Sequence, residues 1–171
     1  MRKLWILTIA LITVLVGSVL AALQSESPYP DCGVHTIRAD DRILSLAAEA
    51  GFNWVVEVFS WQEIEPVPGE YHWERTDWLV QACRYYGLRL AARLDHPPEW
   101  AFSQDKSGPP VDALAYARFA RTVAQRYRGR VQAYIIWNEP NLAQEWGGRP
   151  PDPAAYVEPV SYTHLTLPTK A

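Results

Sequence analysis

Asn138 and Glu139 are the polar residues best placed for chemistry in this sequence, because they directly follow an apolar run. The run, residues 131–137, is rich in β-branched and aromatic residues, a composition typical of a strand buried on both faces of a parallel sheet. Pro140 lacks an N–H and disfavours helix at the residue before it, so the strand is predicted to end there. Ligands bind at the carboxyl ends of parallel strands. Glu139 is therefore the first candidate for chemistry, and a strand-end turn capped by Asn138 is the alternative.

Three further residues follow the predicted second and third strands and are candidate ligand contacts. Trp61 and Trp100 each offer a flat apolar face on which a sugar ring could stack, with loop packing as the alternative for both. His96 directly follows the third strand and could hydrogen-bond a substrate or have a structural role. The sequence alone does not choose between these alternatives.

The other loop carboxylates have no placement that makes them convincing partners of Glu139 in catalysis. They are Glu63, Glu65, Glu70, Asp95 and Glu145. Residues 65–71 are explained more simply as a turn or hairpin in the loop after the second strand. No histidine pair or cysteine spacing suggests a metal site, so we expect neither a metal nor a cofactor.

Three repeats of helix, glycine and buried strand organise the chain. Gly51, Gly87 and Gly129 each follow a predicted helix, at intervals of 36 and 42 residues. Such spacing suits successive βα units, in which the glycine supplies the left-handed residue that turns the helix back into the sheet. The predicted strands are residues 33–37, 52–59, 88–94 and 131–137.

The helices between these strands are predicted from caps and apolar stripes. The first begins at Asp40 or Asp41, the second near Thr76 or Asp77, and the third near Asp112. The first stripe consists of Ile43, Leu46, Ala47 and Ala50, the second of Leu79, Ala82, Cys83 and Tyr86, and the third of Tyr116, Phe119, Ala120, Val123 and Tyr127. A further helix is predicted from Asp152, with Pro153 in its first turn.

The pattern predicts an α/β fold with a parallel sheet. The sequence has no Gly-x-Gly-x-x-Gly motif and no phosphate loop, which argues against a doubly wound nucleotide-binding fold. Long aromatic loops after the second and third strands favour the (β/α)8 TIM barrel, whose active site is built from such loops. A complete barrel needs about 250 residues, so the expected fold is a barrel truncated to about its first four βα units, over residues 33–158.

Both ends of the chain differ from this domain. Residues 1–23 carry two basic residues followed by an apolar segment, which indicates a signal peptide, with an uncleaved membrane anchor as the alternative. Either one places the domain outside the cytoplasm, after a polar linker over residues 24–32. Residues 159–171 have no helical or alternating pattern and resemble a translated vector or adapter tail, so we exclude them from the fold.

The composition argues against nucleic acid as a partner, and it does not decide whether the two cysteines form a disulfide. The net charge of −3 gives no electrostatic case for nucleic acid, and the arginines over residues 118–130 suit a solvated helix face and its C-terminal turn. Cys32 and Cys83 could pair in a secreted protein, but a buried free thiol fits the apolar stripe around Cys83 better. Membrane contact is expected only if the N-terminal segment is uncleaved, and the oligomeric state stays open.

Four motifs in order carry a resemblance to a known group of enzymes. They are Gly51-Phe-Asn-Trp54, residues 61–73 with their Trp-Gln-Glu-Ile-Glu-Pro start, Pro98-Glu-Trp100 and Trp137-Asn-Glu-Pro-Asn141. Together they resemble the N-terminal half of clan A glycoside hydrolases, especially the cellulase-like family 5 and the xylosidase-like family 39. The resemblance covers about residues 33–157.

The resemblance implies a retaining glycosidase that hydrolyses O-glycosidic bonds in oligo- or polysaccharides. Glu139 would be the general acid/base, and Asn138 would hydrogen-bond the sugar 2-hydroxyl. The nucleophile of such enzymes is a second glutamate after the seventh strand, which this sequence does not reach. Two alternatives stay open: an extracytoplasmic carbohydrate-binding protein without catalysis, and a fragment with no function. The identity of the glycan is not specified by these residues.

Overall fold

A computed structural model of the protein describes residues 31–102, 112–146, 148–157 and 161. The chain divides into two compact units, residues 1–31 and 32–171, and the described residues belong, apart from Asp31, to the second unit. The predicted signal segment, most of the linker and almost all of the predicted tail lie outside the described residues. Within the described ranges, no helix has both the length and the apolar character needed to cross a membrane.

Four parallel strands form one sheet in which sequence order and spatial order are the same. They are β1 (Gly33–His35), β2 (Trp54–Ser60), β3 (Arg89–Asp95) and β4 (Ala133–Ile136). The register pairs Val58 with Arg93 and Arg93 with Ile135. The predicted strand ends differ from the observed ones by at most two residues. All four carboxyl ends therefore lie at one edge of the sheet, as the sequence predicted.

Helices connect the strands, and their ends confirm most of the predicted capping residues. They are α1 (Asp41–Glu49), α2 (Trp61–Ile64), α3 (Glu74–Tyr85) and α4 (Ala113–Arg126), with 3-10 turns at Glu99–Ala101 and Ala143–Trp146 and helical residues 153–157. Asp40 caps α1 by accepting from the Ile43 N–H, and Asp112 caps α4 by accepting from the Ala115 N–H. The glycines that follow α1, α3 and α4 all have left-handed φ, between +70° and +87°.

The core lies between the sheet and the helices. On one face of β2, Val55, Glu57 and Phe59 are at most 2% exposed, and the ring of Phe59 meets Tyr127, which follows α4. Side chains alternate along a strand, so the next residues face the opposite side of the sheet. There, Ile135 on β4 is 39% exposed. One face of the sheet is thus covered by helices, and the other is the face that lines the interior of a closed barrel.

The predicted apolar stripe of α1 is partly wrong. Leu44 and Ala47 are buried, whereas Ile43 and Leu46 are 38% and 52% exposed. The buried face of α1 is therefore centred on Leu44 and Ala47 rather than on Ile43 and Leu46, and α1 lies against α3. The stripe of α4 is confirmed, because all five of its predicted residues are buried.

The two cysteines are free and differ in exposure, which makes their reactivity testable. Cys32 is exposed, whereas Cys83 is 2% exposed on α3. Burial, followed by the nearby Glu57 carboxylate, raises the pKa of Cys83 to about 12. Because the thiolate is the reactive form, we expect iodoacetamide at pH 8 to label only Cys32 in the native chain, and both thiols in denaturant. Mass spectrometry of wild type and Cys32→Ser measures this, and rapid labelling of native Cys32→Ser would contradict the burial of Cys83.

Asp77 and Arg126 tie α3 to α4 and give stability a defined pH dependence. Arg126 Nε donates to Asp77 Oδ1 at 3.1 Å, and the Tyr127 hydroxyl donates to the same oxygen at 2.9 Å. The hydrogen bonds from Arg126 hold the pKa of Asp77 below its ordinary value. A carboxylate of this kind stabilises the fold above its unfolded pKa, about 3.9, and the contribution is lost as the pH falls through the folded pKa.

We therefore expect Asp77→Asn to lower the free energy of unfolding at pH 7 and to have no such effect at the acid end of the titration. The pair is partly exposed, so the loss should be less than about 1 kcal/mol. Urea denaturation between pH 2 and pH 7 measures the difference. The exposed Glu70→Gln is the matched control, and a constant difference at every pH would argue against the ion pair as its cause.

Candidate active site

The backbone is strained where the strands end, and this marks the edge of the sheet at which the site lies. Among the described residues, four non-glycine residues have positive φ: Arg38 (+53°), His96 (+54°), Trp137 (+64°) and Glu139 (+35°). Each follows the carboxyl end of β1, β3 or β4. Such conformations cost on the order of 1–3 kcal/mol each and persist where surrounding contacts enforce them, often at functional sites.

Residues 137–140 are held on both sides by buried aromatic side chains. The Tyr116 hydroxyl donates to the Leu94 carbonyl at 2.8 Å and accepts from the Trp137 N–H at 3.1 Å, so it joins the ends of β3 and β4. Burial raises the pKa of Tyr116, which keeps this phenol protonated. On the other side, Trp146 Nε1 donates to the Pro140 carbonyl at 2.8 Å. The segment between these contacts is positioned before any ligand arrives.

The Asn138 side chain is the centre of a polar network. Arg93 Nη1 donates to Asn138 Oδ1 at 2.9 Å, and Asn138 Nδ2 donates to Glu145 Oε1 at 3.0 Å. The same Nδ2 lies 3.5 Å from Glu139 Oε2. Arg93 Nε is 3.3 Å from Asp95 Oδ2, an ion pair in which both side chains are largely buried. Asn138 and Glu139 thus lie side by side at the end of β4, and Arg93 contacts Asn138 from β3.

Glu139 presents an exposed carboxylate at the carboxyl end of β4. Its backbone carbonyl accepts from the Leu142 N–H at 2.8 Å, which holds the turn, while its side chain lies at the surface. Among the described residues, its side-chain contact is the long one to Asn138. A carboxylate that is fixed by its backbone and open at its oxygens can give or take a proton from a ligand at this edge.

His96 lines a cleft at the ends of β1, β2 and β3. The cleft has a volume of about 410 Å³, and its polar lining consists of Arg38, Glu57, Ser60, Gln62, Glu63, His72, Glu74, Arg75, Thr76 and His96. The His96 N–H donates to Asp95 Oδ1 at 2.7 Å, and its carbonyl accepts from the Gln62 N–H. The Ser60 hydroxyl is buried and has no hydrogen-bond partner among the described residues. The lining of this cleft includes neither Asn138 nor Glu139.

Trp61 is a core residue, so the prediction of a sugar-stacking role is wrong for this side chain. It is 0% exposed. Its ring stacks on Phe119 at 5.0 Å between centroids and meets Trp100 and Tyr116 edge-on, while Nε1 donates to Glu65 Oε2 at 2.7 Å. Both of its faces and its polar atom are occupied by protein, which leaves no surface for a ligand.

Trp100 lies in a groove between the loop after β2 and helix α4, and the lining of this groove does not include Glu139. Its Nε1 donates to the Glu65 carbonyl at 3.2 Å, and its half-buried ring lines the groove with Tyr71 and Arg118. The structure does not bring Trp100 into the network around Asn138. Its role in binding a sugar stays a prediction.

The loop carboxylates have structural partners that agree with the turn prediction. Glu65 is 6% exposed and accepts from the Gly69 N–H as well as from Trp61. Val67 and Glu70 form an antiparallel bridge, so residues 65–71 are the predicted hairpin. Glu63 forms an ion pair with Arg38 at the rim of the cleft. No group of His, Cys, Asp or Glu within the described ranges could hold a metal ion.

Sequence reasoning missed two residues that shape the site. Glu57 is 2% exposed and accepts from Thr36 Oγ1 and from the Ala39 N–H, both at 2.7 Å, which fixes the loop after β1. A glutamate inside an apolar strand was the available signal. Tyr116 was predicted only as core, because nothing in a helical stripe shows that its hydroxyl reaches the ends of two strands.

Part of the chain, including β1, β2 and β3, carries a glycoside hydrolase signature. The family model for glycoside hydrolase family 42, described as beta-galactosidase, matches residues 29–113. Phospho-cellobiase of Klebsiella oxytoca is 25% identical over 135 residues, which cover 74% of this chain and 29% of that protein. The chain thus spans less than a third of this curated relative.

Solved structures confirm the fold. A family 39 glycoside hydrolase from the gut symbiont Bacteroides cellulosilyticus matches with a TM-score of 0.62 and 22% identity, over 80% of this chain and 29% of that one. A family 10 endoxylanase from a sugarcane soil metagenome matches with a TM-score of 0.56 and 21% identity, over 80% and 45% of the two chains. The described residues therefore form βα units of a (β/α)8 barrel fold.

Proposed function

We propose that the protein containing this chain hydrolyses β-glycosidic bonds with retention, and that Glu139 is its general acid/base. The observation that carries the proposal is the exposed Glu139 carboxylate. It lies beside Asn138, on a turn that hydrogen bonds hold in place at the carboxyl end of β4. The glycoside hydrolase signature and the names of the relatives, a beta-galactosidase family and a phospho-cellobiase, support this chemistry. The resemblance to clan A enzymes supports the assignment of acid/base to Glu139.

In this mechanism Glu139 donates a proton to the leaving oxygen and then accepts one from the attacking water. Asn138 donates from Nδ2 to a sugar hydroxyl next to the reacting carbon. Retention requires a second carboxylate about 5–5.5 Å from the first, which attacks the anomeric carbon. In our proposal this nucleophile is a glutamate outside the 171 residues, so the chain by itself is not expected to turn over substrate.

The cleft beside β1, β2 and β3 is suited to an uncharged polyhydroxylated ligand. Its charged lining consists of two arginines and three glutamates, and Arg38 is already paired with Glu63. The Ser60 hydroxyl has no partner in the described structure, and His96 is exposed at the rim. Hydroxyl groups of a sugar would satisfy such donors and acceptors. His96 is therefore our proposed sugar contact in this cleft.

The test is an assay of the full-length gene product on aryl β-galactosides, β-glucosides and β-xylosides. Proton NMR of the first product formed reports its anomeric configuration. We expect the β-anomer to appear first and then mutarotate. Initial release of the α-anomer would contradict the retaining mechanism. Binding of the sugars without turnover would favour a carbohydrate-binding protein.

A further inference from the structure

We infer that Arg93 and Glu145 are positioning residues that select one orientation of the Asn138 amide. The inference rests on the proposed function, because an oriented amide matters most if it contacts the substrate. Arg93 reaches Asn138 from β3, and Glu145 reaches it from the 3-10 turn after β4. The two charged groups approach opposite ends of the same side chain.

Because Arg93 donates and Glu145 accepts, the Asn138 amide has one favourable orientation between them. The guanidinium of Arg93 can only donate, so it requires the amide oxygen at 2.9 Å. The carboxylate of Glu145 accepts, so it requires the amide nitrogen at 3.0 Å. Rotating the amide by half a turn would set N–H groups against the guanidinium and an oxygen against the carboxylate. Both contacts would then become repulsive.

The fixed orientation leaves one N–H group of Asn138 available for a ligand. The amide nitrogen carries two hydrogens, and Glu145 takes one at a normal distance. Among the described residues, the acceptor facing the other is Glu139 Oε2, at 3.5 Å, the far limit of a hydrogen bond. A ligand hydroxyl beside Glu139 could therefore accept this second N–H without displacing Glu145.

Arg93 is itself held in place, which makes it suitable for this role. Its side chain is 15% exposed, and that of its ion-pair partner Asp95 is 6% exposed. Asp95 also accepts from the His96 N–H at 2.7 Å. Asp95 therefore balances the charge of the guanidinium at Nε without a hydrogen bond to it, and the hydrogen bond from Nη1 goes to Asn138. Lysine cannot reproduce this planar geometry, although it keeps the charge beside Asp95.

The first test needs no activity. In the ¹⁵N-labelled 171-residue chain, the side-chain amide resonances of Asn138 are assigned by their loss in Asn138→Ala. We expect Arg93→Lys and Glu145→Leu each to shift both hydrogens of this amide, because each variant removes one of the two fixing contacts. The exposed hairpin variant Glu70→Gln should leave them unchanged. Unshifted resonances in Glu145→Leu would overturn the inference, whether or not the protein is a hydrolase.

The second test is a double-mutant cycle in the full-length gene product. We expect Glu145→Leu to lower kcat/KM about tenfold, the equivalent of one hydrogen bond in the transition state. In an Asn138→Ala background the same substitution should change kcat/KM less than twofold, because its effect passes through the amide. Glu145→Gln, which keeps an acceptor oxygen, should restore most of the loss. Multiplicative effects of Glu145→Leu and Asn138→Ala would show independent roles and overturn the inference, whereas an inactive wild type would refute only the proposed function.

Discussion

Glu139→Gln should lower hydrolysis of glycosides with poor leaving groups by about 10²- to 10⁴-fold while leaving the first step on activated aryl glycosides nearly unchanged. A poor leaving oxygen needs a proton in the transition state, and glutamine cannot supply one. A dinitrophenolate departs without protonation, so its departure should not depend on this residue. The burst of dinitrophenol and the steady-state rates on alkyl glycosides measure the two cases.

The surroundings of Glu139 indicate that Glu139→Gln changes the chemistry of this residue and not the fold. Glu139 is exposed, and its side-chain contact among the described residues is the 3.5 Å approach of Asn138, so glutamine removes no buried interaction. The turn itself is held by backbone and aromatic contacts to its neighbours. Glu70→Gln, an exposed carboxylate in the hairpin after β2, is the control and should retain wild-type rates. Equal losses on both leaving groups would mean that Glu139 does not act as the acid.

The order of the elements could be predicted because it depends on local signals. A cap such as Asp40 or Asp112 acts on an N–H three residues away, and Gly51, Gly87 and Gly129 act through their own backbone dihedrals. The position of Glu139 at a strand end follows from an apolar run that stops at Pro140. These features need no knowledge of what packs against them.

The contacts within the site could not be predicted because they join residues that are far apart in the chain. Arg93 and Asn138 are 45 residues apart, and Tyr116 contacts Leu94 across 22 residues. Such pairs depend on the register of β3 against β4 and on where α4 crosses the sheet. The stripe of α1 is also predicted only in part, because Leu44 is buried whereas Ile43 and Leu46 are exposed.

The burial of Trp61 illustrates how aromatic residues near a strand end can mislead. Its position directly after β2 suits either a ligand platform or the core. The outcome is decided by α4, which places Phe119 parallel to the indole and Tyr116 against its edge. Glu65 then satisfies the indole N–H within the same short loop. A helix more than 50 residues away in sequence therefore converts a surface candidate into core.

Trp61→Ala should consequently lower the free energy of unfolding by about 3–5 kcal/mol, the range for truncating a fully buried aromatic side chain. The substitution empties the centre of a four-ring cluster and leaves the Glu65 carboxylate, which is 6% exposed, without its indole partner. Urea denaturation of the chain followed by circular dichroism measures the change.

Two matched variants separate packing from any other role of Trp61. Tyr85→Ala truncates an aromatic residue that is 81% exposed and should change stability by less than about 0.5 kcal/mol. Trp61→Phe keeps most of the ring volume but loses the indole N–H, so it should fall between wild type and Trp61→Ala and give a folded chain even where alanine does not. If Trp61→Ala were as stable as Tyr85→Ala, the indole could not be enclosed by Phe119, Tyr116 and Trp100, and a ligand-facing role for Trp61 would again be open.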